Sequence, residues 1–234
     1  MQIPADVGGT KITRMGLSSR LPAEGGATPI RLTTTLEGTA AWSFRWKLKW
    51  PFPASQAEYR SRAVISDWLD RWLDLELTGE FSTLDPTAAF EEPLAFTAET
   101  QWRPEVQRLG EHLLLPALPR VSRIPNLFTA EERSAPIWLP GGRLEVSMSW
   151  ELPADAVPGP APEAVEATGP GGLSFALTTT AQPPSSAEAG PTLTTQLVLE
   201  LPHMLPASDY PEVKRFWETL QRAAERRLAV TTGS

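Results

Sequence analysis

Large apolar side chains alternate with polar ones along Trp42-Ser43-Phe44-Arg45-Trp46-Lys47-Leu48-Lys49-Trp50. In extended backbone successive side chains leave opposite sides. The spacing therefore predicts a strand with an apolar row of Trp42, Phe44, Trp46, Leu48 and Trp50 and a wet row of Arg45, Lys47 and Lys49. Just upstream, Ile30-Arg31-Leu32-Thr33-Thr34-Thr35-Leu36 is rich in β-branched residues, and Glu37-Gly38 offers a turn. Segments 29–36 and 39–50 thus read as a β-hairpin, ended by Pro51 and Pro53.

From Ser55 the period changes. Val64, Trp68 and Trp72 recur at four-residue spacing beside Ile65, Leu69 and Leu73, which predicts a helix over 55–73 with Ser55 as N-cap and Glu58 at capping-box distance. Strands are predicted on the alternation of Leu75, Leu77 and Phe81, over 93–102, and in the run Leu113-Leu114-Leu115. Beyond Pro136-Ile137-Trp138-Leu139 and Pro140-Gly141-Gly142, the residues Leu144, Val146, Met148, Trp150 and Leu152 share one face of another strand. Residues 153–171 read as a long connection or loose hairpin tip, followed by strands over 173–180 and 193–201.

A second amphipathic helix is predicted from about Asp209 to Leu228, with Val213, Phe216, Leu220 and Leu228 on its stripe. Ser208 or Asp209 would cap it, and Pro211 suits its first turn. Residues 1–27, with Gly8-Gly9, Gly25-Gly26 and little periodicity, read as a flexible N-terminal arm. The rest, 28–234, is expected to be a β-rich domain, with a division into sub-domains 28–132 and 133–234 left open. The expected fold class is mainly β, an antiparallel β-sandwich-like arrangement with two amphipathic helices.

Composition agrees and narrows the function classes. The 24 prolines among 234 residues punctuate many short elements, since proline is excluded from helix interiors and central ladders. A net charge of −7 opposes a nucleic-acid partner, which needs a basic field to capture phosphates. No apolar run approaches the roughly 18 residues of a membrane span, so no transmembrane segment is expected. The absence of Cys removes disulfides, thiolate nucleophiles and thiolate metal sites together, and His112 and His203 are the only imidazoles.

Several short motifs suggest chemistry that their context refuses. Asp6-Val7-Gly8-Gly9-Thr10-Lys11 spells a phosphate loop of sugar kinases, but such a loop must follow a buried apolar strand, and only Met1 to Ala5 precede it. Leu84-Asp85-Pro86-Thr87 resembles the segment that carries the triad Asp of transglutaminase-like cores. That Asp orients a His that activates a Cys, and neither precedes it, so a turn is the expected reading. Asp67, Asp70 and Asp74, interleaved with Trp68 and Trp72, describe the solvated side of a helix rather than a metal site. His203, between Pro202 and Met204, reads as a strand-end histidine. Glu91 and Glu92 are the carboxylate pair an independent hydrolase would have to use, and nothing around them supports it.

Three stretches carry a family resemblance. They are Arg-Trp-Lys-Leu-Lys-Trp at 45–50 with the helix from Tyr59 to Trp72; RSAPIWLPGGRLEVSMSWELP from Arg133; and LVLELPHMLPASDYPEVKRFWETL from Leu197. In the order of these elements the chain resembles the β-rich C-terminal region of bacterial transglutaminase-like proteins that carry an N-terminal β-domain of unknown function. The resemblance implies architecture and setting rather than chemistry. The family's catalytic Cys, His and Asp belong to a core expected to be absent here, so no catalytic, cofactor or metal position carries over. Proteins of this kind are exported, which implies a periplasmic or cell-surface setting.

The expected function is that of a non-catalytic accessory or interaction domain of a transglutaminase-like exported protein, without a cofactor. Its partner would be a protein or the parent's own catalytic core, met through Arg45, Lys47 and Lys49. The alternative is a glycan-binding module in which Trp42, Trp46 and Trp50 stack on sugar rings from an exposed platform. A sheet with one wet face must bury the other, which favours core over platform for these tryptophans. No feature specifies an oligomeric state.

Overall fold

The structure is a computed structural model. It describes residues 11–21, 28–49, 56–73, 75–82, 84, 92–102, 106–119, 128, 130–184, 186 and 189–232. Strand β1 spans Ile12–Arg20 and β2 spans Thr28–Glu37. Helices α1 (Thr39–Lys49) and α2 (Ala57–Trp72) follow, then strands β3 (Glu76–Phe81) and β4 (Leu94–Trp102). Two short strands, β5 (Gln107–Leu109) and β6 (His112–Pro116), precede β7 (Ile137–Trp138) and the long β8 (Gly142–Glu151). After β9 (Val157–Pro158) and β10 (Val165–Thr168) come β11 (Ser174–Gln182), β12 (Thr192–Leu201) and β13 (Met204–Leu205). Helix α3 (Tyr210–Ala224) and strand β14 (Arg227–Thr231) close the described chain.

The fold is mainly β, as the alternation predicts, with several antiparallel pairings and three helices among the described residues. Eight strands form one sheet in the order β10-β11-β12-β8-β1-β2-β4-β3. Four come from each half of the chain, and they join where β1 runs parallel to β8, pairing Ile12 with Arg143 through Arg20 with Glu151. The other neighbours in this sheet are antiparallel. A smaller sheet, β5-β6-β14-β9, and a two-stranded ribbon of β7 and β13 complete the pairing.

Period-2 burial gives the large sheet two unlike faces. Met15 and Leu17 of β1, Ile30, Leu32 and Leu36 of β2, and Leu144, Val146, Met148 and Trp150 of β8 all point inward and are buried. Three sets of elements cover different parts of this inner face. Over β4, Phe44 of α1 and Trp68 of α2 meet Phe96 with ring centroids 5.4 and 5.7 Å away. In the middle, Leu113, Leu115, Leu228 and Val230 of the smaller sheet are buried, and the Trp150 indole N–H donates to the Pro116 carbonyl at 3.1 Å. Over β11, Phe216 of α3 meets Phe175 edge-on at 5.3 Å. The outer face carries Arg14, Thr33, Glu145, Ser147, Thr178 and Gln196, none of them buried.

Three expectations change. The segment 39–49 is a helix rather than the second arm of a hairpin, and β2 pairs with β1 and β4 instead. Gly38, at φ +58°, turns the chain out of β2, and the Trp42 amide donates to the Gly38 carbonyl at 3.0 Å in the first helical turn. The same letters satisfy a helical stripe of Ala41, Phe44, Arg45 and Leu48, which are buried together with Ala40, so tertiary packing overrides the alternation. The supposed arm contains β1, which lies in the middle of the sheet between β2 and β8. Finally, α3 stops at Ala224, and Leu228, expected on its stripe, is instead buried on β14.

Apart from the end of α3, the two helix expectations hold in outline. Helix α2 lies within the expected 55–73, although its N-cap is Gln56, and Ser55 falls outside the described residues. Helix α3 starts beside Asp209 with Pro211 in its first turn and buries Val213, Phe216 and Leu220.

Candidate functional site

Because α1 is a helix, the expected basic stripe is not a stripe. Arg45 is 2 % exposed, and its guanidinium donates to the carbonyls of Glu92 and, at 3.1 Å, Pro93, tying α1 to the residues that lead into β4. Lys47 pairs with Asp67 of α2 at 3.0 Å, and of the Lys49 side chain nothing is described. The aromatic platform is not flat either. Trp42 and Trp46 are one helical turn apart on α1, Trp46 is 38 % exposed, and Trp50 falls outside the described residues.

Other sequence candidates disperse. Asp67 is held by Lys47, Asp70 is exposed, and Asp74 lies outside the described residues. So do Asp6 to Thr10, Asp85 to Thr87 and Glu91. Glu92 is exposed, and its carbonyl, not its carboxylate, is the group in use. His203 sits between β12 and β13 with its ring over Gly141, where a Cβ would be 2.2 Å from Nδ1. Among the described residues no group of three His, Asp or Glu converges to hold a metal ion, and no helix is long and apolar enough to cross a membrane.

Two surface features remain, and sequence reasoning singled out neither. The first is the ribbon of β7 and β13. Trp138 and Met204 are directly opposed across it and are 68 % and 51 % exposed, while their neighbours Ile137 and Leu205 are buried at 0 % and 1 %. The two strands of the ribbon are held to each other at its end by the Leu139 amide, which donates to the His203 carbonyl at 3.0 Å. The Lys11 ammonium likewise donates to the Pro140 carbonyl at 2.9 Å, and burial pushes its pKa down. A large aromatic and a polarizable thioether thus stand outward on a fixed support. The alternation Ile137-Trp138-Leu139 holds the signal, since it puts Trp138 opposite two core residues. The partner strand that makes it a patch could not be read locally.

The second feature lies on the outer face of the large sheet, over the parallel junction. Glu37, Arg14, Glu145, Arg143 and Glu200 form a chain of alternating charge across β2, β1, β8 and β12. Arg14 contacts Glu37 and, at 3.2 Å, Glu145, while Arg143 reaches Glu145 and Glu200 at 2.6 Å each. The hydrogen bond from Arg143 is the main reason that the Glu145 carboxyl is held below its usual range; the same bond raises Arg143. A second register-matched pair, Arg20 with Glu151 at 3.0 Å, lies farther along the same junction. Such partly or largely exposed pairs are worth about 0–1 kcal/mol each, so they set register more than they hold the sheet.

Beside this chain a hollow of about 230 Å³ opens at Gly16, where β1 carries no side chain on the outer face. In comparisons with known proteins, no family model, no curated protein and no solved structure matches the chain.

Proposed function

We propose that the chain is a non-catalytic interaction domain that docks a protein partner through the ribbon of β7 and β13. One observation carries this reading: Trp138 and Met204 are paired, exposed and rigidly anchored by Ile137 and Leu205. Aromatic residues and Met are enriched in the centres of protein interfaces, and a preordered anchor costs little entropy when it docks. The two sides of the ribbon also come from two of the three stretches that resemble the tail of transglutaminase-like proteins, one from the Arg133 segment and one from the Leu197 segment. That resemblance supports the catalytic core of a transglutaminase-like exported protein as the partner, in a periplasmic or cell-surface setting. Arg45 and Lys47 support the domain itself instead of meeting the partner, because both are engaged inside it.

The test is calorimetric titration of the chain with a separately produced transglutaminase-like core from the same genome. The reading expects saturable binding that Trp138→Ser weakens by about 30-fold, the size of a hot-spot truncation of about 2 kcal/mol. No binding, or binding that Trp138→Ser and Met204→Ser leave unchanged, would overturn it.

A further inference from the structure

We infer that the outer face of the eight-stranded sheet carries a second site, independent of the docking ribbon, in which the hollow over Gly16 takes one ring of a neutral saccharide. The hollow is floored by backbone, because the side chains of Met15 and Val146 point to the opposite face and Gly16 has none. Its rim carries Thr33, Thr35, Ser147 and Gln196 with the paired Arg14 and Glu145. All six rim side chains are polar. At about 230 Å³ it is smaller than the roughly 300–1,000 Å³ of drug-sized sites, which suits a single ring.

Charge balance selects the ligand class. Arg14 is held between the carboxylates of Glu37 and Glu145, so it offers an anion no unneutralised cation. Glu145 in turn is paired twice, with Arg14 and Arg143, and the one carboxylate in excess along the chain is shared by Glu37 and Glu200 at its ends, neither of which lines the hollow. What the rim does offer is hydroxyl and amide groups that both donate and accept. Thr33 donates to the Gly16 carbonyl at 3.3 Å, while Ser147, Thr35 and Gln196 make no side-chain hydrogen bond among the described residues. Polyhydroxylated molecules match that set, since each hydroxyl can accept from one partner and donate to another.

The surrounding face extends the match to a chain of rings. Gly16 is in register with Ser147, which faces Gln196, which faces Thr178. One step along, Ser18, Ser149, Thr194 and Thr180 make a parallel polar row, with Ser149 and Thr194 hydroxyls 3.0 Å apart. A saccharide seated by one ring in the hollow would lay its neighbours across these rows.

The experiment is an amide-resolved NMR titration with cellotriose, maltotriose and triacetylchitotriose, using glucose 6-phosphate and glucosamine as charged counterparts. At least one neutral trisaccharide is expected to shift the Gly16 backbone amide and the Gln196 side-chain amide saturably, and more tightly than either charged probe. Gly16→Val should raise the Kd at least tenfold while the rest of the spectrum stays in place. A Cβ there meets the Thr33 hydroxyl at 2.7 Å and comes within 4.0 Å of the Thr33 carbonyl oxygen, so the Thr33 side chain must turn to make room. The double variant Ser147→Ala, Gln196→Ala should weaken binding as well, and it decides the matter if Gly16→Val does not fold. No saturable shift at those amides, tighter binding of a charged probe, or unchanged affinity in the variants would overturn the inference.

Discussion

Replacing Arg45 by alanine separates the helix at 39–49 from the strand that its alternation suggests. In the structure its guanidinium is buried and donates to the carbonyls of Glu92 and Pro93. A hydrogen bond from a charged donor contributes about 1.5–3 kcal/mol, and the truncation also leaves a void along the lost side chain. Glu92 and Pro93 are themselves exposed, so water can recover part of the loss at their carbonyls. The expected cost is therefore about 2–4 kcal/mol, below the sum of two full bonds plus the void.

Lys47 is the internal control. Its pair with Asp67 is 36 % and 41 % exposed at the two side chains, where such a pair is worth about 0–1 kcal/mol. On a half-wet strand the two cations would be equivalent, and both substitutions would cost little. Equilibrium urea unfolding of Arg45→Ala and Lys47→Ala, compared at unchanged m-value, decides between the two arrangements. A loss at Arg45 that fails to exceed the loss at Lys47 would refute the buried-arginine account.

Trp150→Ala should cost about 3–5 kcal/mol, because the side chain is fully buried and links the two sheets through Pro116; that is a fall in Tm of about 6–20 °C for a domain of this size. Trp150→Phe keeps most of the packing, loses the hydrogen bond, and should cost about 1–2 kcal/mol in the same thermal scan. Glu145→Gln tests the outer-face charge chain. Glu145 has a lowered folded-state pKa, so its stabilisation is present above the unfolded value of about 4.3 and is lost as pH falls through the lower folded value. The variant should be less stable than the native chain at pH 7 and converge with it in acid, and a gap that stays constant with pH would contradict the assignment.

Where the buried row of a long strand is mostly large and apolar, its alternation was enough to find it. Strands β2, β4, β8, β11 and β12 all lie close to their expected ranges for that reason. Segment 39–49 failed because its letters satisfy two periods at once, and the deciding fact, that Arg45 faces inward to reach two carbonyls in a distant segment, is tertiary. Strand β1 failed because its inward row mixes Thr13 and Ser19 with Met15 and Leu17, so the apolar alternation is only two residues long. Neither surface feature could be read locally. The ribbon needs residues 138 and 204 to be opposite each other, and the hollow needs β1 and β8, about 130 positions apart, to run side by side.

The claim that most needs testing is that the ribbon is where a partner sits. Hydrogen–deuterium exchange of the chain, alone and mixed with the proposed transglutaminase-like core, reads this out directly. New protection is expected at the amides around Ile137, Trp138, Met204 and Leu205, with the exchange of α1 unchanged. Protection centred instead on α1 around Trp42, Trp46 and Lys47, with none at the ribbon, would contradict it.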